Sequence, residues 1–276
     1  MSPKLPINNA QTITEFLNLH KGQVSEQESV DSYKFAFNDE AFLSRRETIG
    51  IRFELELLKP EILLKEHGID HTITVFGSTR FVSCDKAESL VSEAKTPQET
   101  ADAKKALLHS QYYESAREFG SIVASYNKTQ KESANKLHIC TGGGPGIMEA
   151  ANRGAHDSGA RSAGLNITLP HEQYPNPYVT PSLCFQFHYF AIRKLHFLSR
   201  ARALVVFPGG FGTMDELTEI LTLVQTQKLM KRMVIVLYGT SFWKEIINFD
   251  ALVRHGMGSA DDDATSAGLM CGGAVF

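Results

Sequence analysis

The chain has 276 residues, 42% of them hydrophobic and 21% charged, with a formal net charge of −3 at pH 7. This balance argues against a general nucleic-acid-binding protein, which would carry a strongly basic domain, although a local site for a small anion remains possible. Four widely separated cysteines form no CxxC pair and no cluster with histidine, so the sequence indicates neither a metal site nor a disulfide framework, and we expect a reducing, cytoplasmic setting.

Residues 1–70 have a helical and peripheral character. The start of the chain lacks the pattern of a signal peptide, and no run of about 18 apolar residues predicts a membrane span. Between residues 42 and 64 apolar side chains recur at helical spacing, and Pro60 predicts a kink or break there. We interpret this segment as a helical extension that covers the core or forms an oligomer interface, without a catalytic signature. The spaced apolar residues are Ile51, Phe53, Leu55, Leu58 and Ile62.

From residue 71 to 258, short apolar runs alternate with glycine-rich turns and helical patterns. This order is typical of a Rossmann-like doubly wound parallel sheet with helices on both faces, an α/β fold. In such folds, ligands bind beyond the carboxyl ends of the strands. The predicted strands are 72–76, 136–140, 163–169, 184–187, 203–207 and 233–238, and the helices that bear on the site are 97–126, 147–158, 189–201 and 215–227.

The turn 208–216, with sequence PGGFGTMDE, is the strongest local signal. Its glycines allow close approach to a ligand, and a helix start after them would offer free N–H groups to a phosphate. Thr213 and Glu216 also have the spacing of a capping box, in which Glu216 would only bond back to the helix start. The glycine cluster at a strand end favours the phosphate interpretation, and the predicted contacts are Pro208, Gly209, Gly210, Gly212 and Thr213.

Two further turns fall on the same predicted edge of the sheet. The turn 141–146 has four glycines, but Ile147 stands where a dinucleotide fingerprint needs glycine or alanine, so a nicotinamide site is only weakly indicated. No GxxxxGK[ST] motif is present, which excludes a Walker-type NTPase. The turn 77–80 contains small residues and a cation. This composition fits either a surface turn or a contact with an anion. The binding residues predicted from these turns are Gly77, Ser78, Arg80, Gly143, Gly144, Gly146, Met148 and Glu149.

Arg193 and Lys194 lie on the helix that precedes the strand 203–207. Two adjacent cations on a helix are typical of a solvated face. Here the apolar neighbours favour an arginine that faces a cleft, and both cations are predicted to contact substrate.

The motifs GGGPGIME at 142–149, Arg193-Lys194 and PGGFGTMDE at 208–216 together resemble the LOG (Lonely Guy) family in its longer bacterial form. Members are cytokinin riboside 5′-monophosphate phosphoribohydrolases, long described as possible lysine decarboxylases. The resemblance covers about residues 71–250, and PGGxGTxxE is matched at every fixed position. It implies cleavage of the N-glycosidic bond of AMP or a cytokinin nucleotide to free base and ribose 5-phosphate. It also implies that Arg193 and Glu216 form the catalytic pair.

The same resemblance implies no redox cofactor, no pyridoxal phosphate and a homo-oligomer with active sites near a dimer interface. The main alternative is a non-catalytic nucleotide sensor or carrier of the same fold. Residues 259–276 depart from the family pattern and form an atypical tail in place of a further acidic helical segment. The loop 170–181 is expected to shape the pocket wall that selects the base.

Overall fold

A computed structural model describes residues 26–132, 135–169, 174–229, 233–257 and 269–272. The chain divides into two compact units, one up to Glu54 and one from Leu55 onward. In the first unit the short helix α1 (Glu40–Leu43) begins after Asp39, whose carboxylate accepts a hydrogen bond from the Phe42 N–H at 2.9 Å. The predicted division of the chain at residue 70 stays a prediction.

The second unit is built on a parallel sheet, and the predicted doubly wound α/β fold is confirmed. Its strand order is β4-β3-β2-β1-β5-β6-β7. Every neighbouring pair is parallel, so helices must return the chain across the faces of the sheet. The strands are β1 (His71–Phe76), β2 (Leu137–Thr141), β3 (Ser162–Ile167), β4 (Cys184–Phe187), β5 (Ala201–Val206), β6 (Val234–Tyr238) and β7 (Leu269–Gly272).

Helices cover both faces of this sheet. The remaining helices are α2 (Ile49–Glu66), α3 (Cys84–Glu93), α4 (Pro97–Thr129), α5 (Ile147–Asp157), α6 (Phe190–Ser199), α7 (Phe211–Gln225), α8 (Thr240–Ile246) and α9 (Phe249–Arg254). Strand β5 packs against helices on both faces of the sheet, which accounts for the apolar residues in its second half. Leu204 and Val206 pack into a core with α2, α6 and α7, whereas Val205 packs into a second core with α4 and α5.

Pro60 does not break the helix, so of the predicted kink or break the break is wrong. Helix α2 continues through it, and the proline is buried. Proline lacks the N–H that would bond to the carbonyl four residues earlier, so the helix loses the bond to the Glu56 carbonyl. That carbonyl lies 3.2 Å from His196 Nε2, so a side chain from α6 supplies the missing donor.

The C-terminal tail lies mostly outside the described residues. Within it, Leu269–Gly272 form β7, which pairs with β6 and which the sequence analysis did not predict. Among the described helices, none combines the length and the apolar character that a membrane crossing requires.

Candidate functional site

The direction of the strand order reverses beside β1. The chain runs outward from β1 to β4 and then returns to the other side of β1 with β5. In parallel sheets, such a switch point leaves a crevice beyond the carboxyl ends of the strands. The turns that follow β1, β2 and β5 all lie at this edge because these three strands are neighbours.

Ser78 joins the three turns through its main chain. Its N–H donates to the Pro208 carbonyl at 2.9 Å, and its carbonyl accepts from the Ile147 N–H at 3.0 Å. Gly146 permits this contact: its φ is +73°, and a Cβ there would lie 2.2 Å from the Ser78 carbonyl oxygen. Only glycine fits such a position, so the glycine-rich turn after β2 brings two main chains together.

A cavity of about 610 Å³ opens where these turns meet. Nine of the sixteen residues predicted for the site line this cavity. They come from the turns after β1 and β5 and from helices α5, α6 and α7, so these predicted parts of the site do lie together. The nine are Gly77, Ser78, Arg80, Met148, Arg193, Gly210, Gly212, Thr213 and Glu216.

The other seven predicted residues do not line this cavity, and their substrate contacts stay predictions. Glu149 accepts a hydrogen bond from the Tyr113 hydroxyl at 2.8 Å, which ties α5 to α4. The Gly143 and Gly144 carbonyls accept hydrogen bonds from Asn176 at 2.8 and 3.0 Å. The seven are Gly143, Gly144, Gly146, Glu149, Lys194, Pro208 and Gly209.

Pro208 and Gly209 instead line a second cavity of about 560 Å³ on the other side of the same turn. Its wall includes the ring of Phe81, which is stacked on Tyr112 with ring centroids 5.7 Å apart. The turn after β5 therefore separates two cavities, and only its later residues, from Gly210 onward, face the first one.

Helix α7 begins at Phe211, four residues before the predicted start at Asp215. Gly210 is its N-cap, and no side chain caps it. Glu216 lies a full turn inside the helix, so the capping-box alternative is wrong. The first N–H groups of a helix have no acceptor within it and carry a partial positive charge, so this helix start can bind an anion in the cavity.

Arg193 and Glu216 form a buried pair across the cavity wall. Arg193 Nη2 lies 3.5 Å from Glu216 Oε1, and their side chains are only 13% and 6% exposed. The Arg193 guanidinium also lies over the rings of Phe190 and Phe197, at 5.2 and 5.4 Å from the centroids. Its Nε has no hydrogen-bond partner among the described residues. The pair is thus held by helix packing and has unused hydrogen-bonding capacity.

Burial dominates the electrostatics of this pair. It raises the pKa of Glu216, against the lowering influence of the Lys194 and Arg193 charges. Burial also lowers the pKa of Arg193, against the opposing charge of Glu216. Both shifts favour the neutral forms, which is the expected cost of removing charges from water. The arginine still remains charged, because guanidinium pKa values lie far above neutrality.

Lys194 does not line the cavity. Its Nζ lies 2.8 Å from Asp215 and 2.9 Å from Glu219, both on α7. Burial lowers the pKa of Lys194, but the hydrogen bonds to these carboxylates outweigh it, so the pKa is raised overall. Lys194 therefore connects α6 to α7, and its charge favours the carboxylate form of Glu216.

The sequence analysis missed several residues of the cavity wall. Asp215 adjoins Glu216 in the motif, and Phe190 is one helical turn before Arg193, so position alone could have indicated both. Phe211 occupies the variable position of the motif and is 96% exposed at the cavity mouth, which no residue pattern predicts. The remaining residues missed are Phe76, Thr79, Gly142, Ile167, Leu169 and Phe197.

Comparison with known solved structures gives low similarity scores. The molybdenum cofactor binding protein from the phototrophic bacterium Rippkaea orientalis is 16% identical, with a TM-score of 0.42, over 73% of this chain and 90% of that one. The Moco carrier protein from Chlamydomonas reinhardtii is 17% identical, with a TM-score of 0.38 and the same coverage.

Comparison of the sequence gives two partial matches. A stretch of 94 residues, 31% of this chain, is 35% identical to the pyrimidine/purine nucleotide 5′-monophosphate nucleosidase of Escherichia coli (strain K12) and spans 20% of that protein. The chain thus matches only about a fifth of the length of this curated relative. Residues 148–267 match the family described as possible lysine decarboxylase, a range that includes Arg193, Lys194 and the turn 208–216. The resemblance drawn from the motifs is confirmed by this match, which extends over residues 148–267 of the chain.

Proposed function

We propose that this protein hydrolyses the N-glycosidic bond of a nucleoside 5′-monophosphate to free base and ribose 5-phosphate. The observation that carries the proposal is one cavity that holds both an uncapped helix start and, one turn further along the same helix, a buried carboxylate paired with arginine. The partial match to a nucleotide 5′-monophosphate nucleosidase supports the same class of substrate. AMP and cytokinin riboside 5′-monophosphates are the substrates that we propose to test.

The phosphate of the substrate binds at the start of α7. The N–H groups of the first turn and the Thr213 hydroxyl supply donors, and the helix adds its partial positive charge. Gly212 leaves the approach open, since a Cβ there would have nothing within 4 Å. Binding energy from the phosphate fixes the position of the sugar, so a nucleoside without phosphate is a poor substrate.

Glu216 stabilises the charge that develops on the sugar. As the bond between C1′ and the base nitrogen breaks, its electron pair leaves with the base and positive charge builds on the ribose ring. A nearby carboxylate lowers the energy of that transition state. Water then adds to C1′, Glu216 accepts its proton, and the departing base gains a proton to become neutral.

Arg193 keeps Glu216 ready for this role. Its charge favours the ionised carboxylate against the effect of burial. The Arg193 side chain lies against two phenyl rings and pairs with Glu216 on α7. It therefore also restricts where the Glu216 carboxylate can point. Arg193 therefore orients the catalytic group and supplies a cation to the substrate side of the cavity.

The direct test is incubation of the purified protein with AMP, with isopentenyladenosine monophosphate and with the matching nucleosides, followed by chromatographic detection of free base. We expect base from at least one monophosphate and little from the nucleosides. If none of the monophosphates yields base, the proposal is wrong. Tight nucleotide binding without base release would instead support the non-catalytic sensor or carrier alternative.

Substitutions identify the residues responsible. Glu216→Gln and Arg193→Ala are each expected to lower kcat by about 10²-fold or more, because each removes charge stabilisation of the transition state. Circular dichroism and thermal unfolding check that the fold is kept. Glu149→Gln is the matched control: this glutamate follows a glycine turn too, but it binds Tyr113 behind the cavity wall. Retention of near wild-type kcat by Glu216→Gln would contradict its catalytic role.

A further inference from the structure

Helix α2 holds the start of the helix that carries Arg193. Glu56 lies on α2 and uses both carboxylate oxygens: Oε1 accepts from the His188 N–H at 2.9 Å and Oε2 from the Tyr189 N–H at 3.2 Å. These two N–H groups belong to the turn between β4 and α6, immediately before the helix begins at Phe190. No side chain of α6 itself caps its start, so the external carboxylate takes this place.

The path from Glu56 to Arg193 is short. The Tyr189 carbonyl accepts the Arg193 N–H at 3.2 Å, a bond of the first turn of α6. Tyr189 thus donates to Glu56 through its N–H and accepts from Arg193 through its carbonyl. Any shift of Tyr189 moves the main chain of Arg193 with it, because helical hydrogen bonds link successive turns rigidly.

The main chain of Glu56 contributes a second contact to the same helix. Pro60 leaves the Glu56 carbonyl without a partner within α2, and His196 Nε2 lies 3.2 Å from it. Because a carbonyl can only accept, Nε2 carries the proton. The His196 Nδ1 is buried without a hydrogen-bond partner among the described residues, which fits a neutral ring. Burial also lowers the pKa of His196.

A third contact follows the end of α6. Arg200 Nη2 donates to the Glu61 carboxylate on α2, and Arg200 Nη1 donates to the Ile69 carbonyl at 2.7 Å. The two helices are therefore joined at the start, in the middle and just beyond the end of α6. On the same helix, Arg193 and Lys194 contact carboxylates of α7.

We propose that Glu56 is a positioning residue for the active site, which sets the placement of Arg193 against Glu216 by holding the start of α6. The inference rests on the proposed function for its kinetic consequences. Glu56 does not line the cavity, so it acts through Arg193 and not on the substrate. Helix α2, which shows no catalytic pattern in its sequence, thereby becomes part of the catalytic apparatus.

The test compares Glu56→Gln with wild type in steady-state kinetics on the nucleoside monophosphate. Glutamine has one acceptor oxygen for two N–H donors, and its amide group would face one of them. We expect kcat to fall about tenfold with KM changed less than about twofold, as for a catalytic group displaced by a distant substitution. His196→Phe, which removes the donor to the Glu56 carbonyl, is expected to change kcat in the same direction.

The pH profile separates positioning from general stability. Glu216 faces Arg193 and Lys194 from α6 and Asp215 and Glu219 from its own helix, and Arg80 lies on the same cavity wall. If Arg193 moves away, Glu216 loses one of its cations, and the acid limb of kcat shifts to higher pH. Glu66→Gln, an exposed position on the same helix, is the matched control and should leave kcat and the acid limb unchanged.

The Arg193 Nε–H signal in NMR spectra of 15N-arginine-labelled protein tests the inference without turnover. Glu56→Gln should shift this signal, and Glu66→Gln should not. If the wild type releases no base, the proposed function is wrong. The Arg193 Nε–H signal would then still test whether Glu56 positions Arg193. A Glu56→Gln protein with unchanged kcat, acid limb and Arg193 signal would overturn the positioning role, even if its melting temperature were lower.

Discussion

At the level of single residues, Glu216 is under opposing influences that determine when it can act. Burial raises its pKa, and the charges of Lys194 and Arg193 lower it, with burial the larger effect. The proposed chemistry requires the carboxylate. We therefore expect kcat to fall as the pH decreases through a pKa above the value of about 4.3 for an exposed glutamate. A kcat–pH profile measures this, and an acid limb at or below the ordinary value would contradict it.

The kcat–pH profile of a Lys194 variant tests the same electrostatic balance at Glu216. Removing its charge in Lys194→Gln takes away the strongest influence that lowers the pKa of Glu216, so the acid limb should shift further upward. KM should change little, because Lys194 contacts Asp215 and Glu219 and not the cavity. A large rise in KM with an unmoved acid limb would show instead that Lys194 binds the phosphate.

The difference between Arg193 and Lys194 marks a limit of inference from sequence. The motif predicts that both cations belong to the site, but adjacent residues on a helix project in directions about 100° apart. Which one faces the cavity depends on the rotation of α6 about its axis. That rotation is fixed by contacts with α2 and α7 that are distant in sequence, such as Glu56 and Glu219.

At the level of elements, the start of α7 differs from the sequence prediction. The pattern PGGFG predicts a turn because glycine is a poor helix former, yet the helix includes Gly212 as its second residue. Helical backbone at this position brings the free N–H groups to the cavity edge. The strand ends of β1 and β5 were predictable because apolar runs stop at glycine or proline, whereas the helix start was not.

Gly212→Ala tests whether this helix start binds phosphate. A Cβ at Gly212 meets nothing within 4 Å, so alanine should leave the free energy of unfolding unchanged or raise it by up to about 1 kcal/mol. KM for the monophosphate should rise, because the methyl group enters the cavity wall. Gly50→Ala is the matched control: Gly50 is also the second residue of a helix with open space around it, and KM should not change.

Gly146→Ala tests the contact between two turns. Its Cβ would lie 2.2 Å from the Ser78 carbonyl oxygen, whereas Gly159, with a similar φ of +74°, has nothing within 4 Å. Both substitutions should destabilise the protein because φ is positive. Gly146→Ala should lose about 1–3 kcal/mol more, because its ψ of −130° lies outside the left-handed helical region and its Cβ forces the main chains apart. Urea unfolding compares them. Equal losses would mean that the turns do not need to touch.

At the level of the whole molecule, the repeated pattern of strand, turn and helix was enough to predict the fold class but not the strand order. The position of β5 beside β1, which creates the crevice, follows from long-range packing that no local pattern records. The strand β7 was missed because its residues, LMCG, lie in a tail of small residues. The site was predictable as a set of turns. Most of its walls were not, because residues such as Phe76, Ile167 and Leu169 reach the cavity through the fold and belong to no motif.

We propose, from the family resemblance, that the protein is a homo-oligomer. Several apolar side chains on α2 are exposed, including Leu55 at 52% and Ile62 at 50%, and an association of subunits would remove such surface from water. Light scattering of the purified chain should give a mass that is a multiple of 30.6 kDa. A mass equal to the single chain across a range of concentrations would contradict the proposal.

The missing N–H of Pro60 has a consequence for local opening of the protein. Because the Glu56 carbonyl is bonded across to His196 and not within its own helix, α2 cannot unwind at this point without releasing α6. Amide hydrogens of the two helices should therefore exchange with solvent deuterium as one cooperative unit, with the Tyr189 and Arg193 amides following those of α2. The equilibrium constant of that opening would set the fraction of time for which Arg193 is away from Glu216.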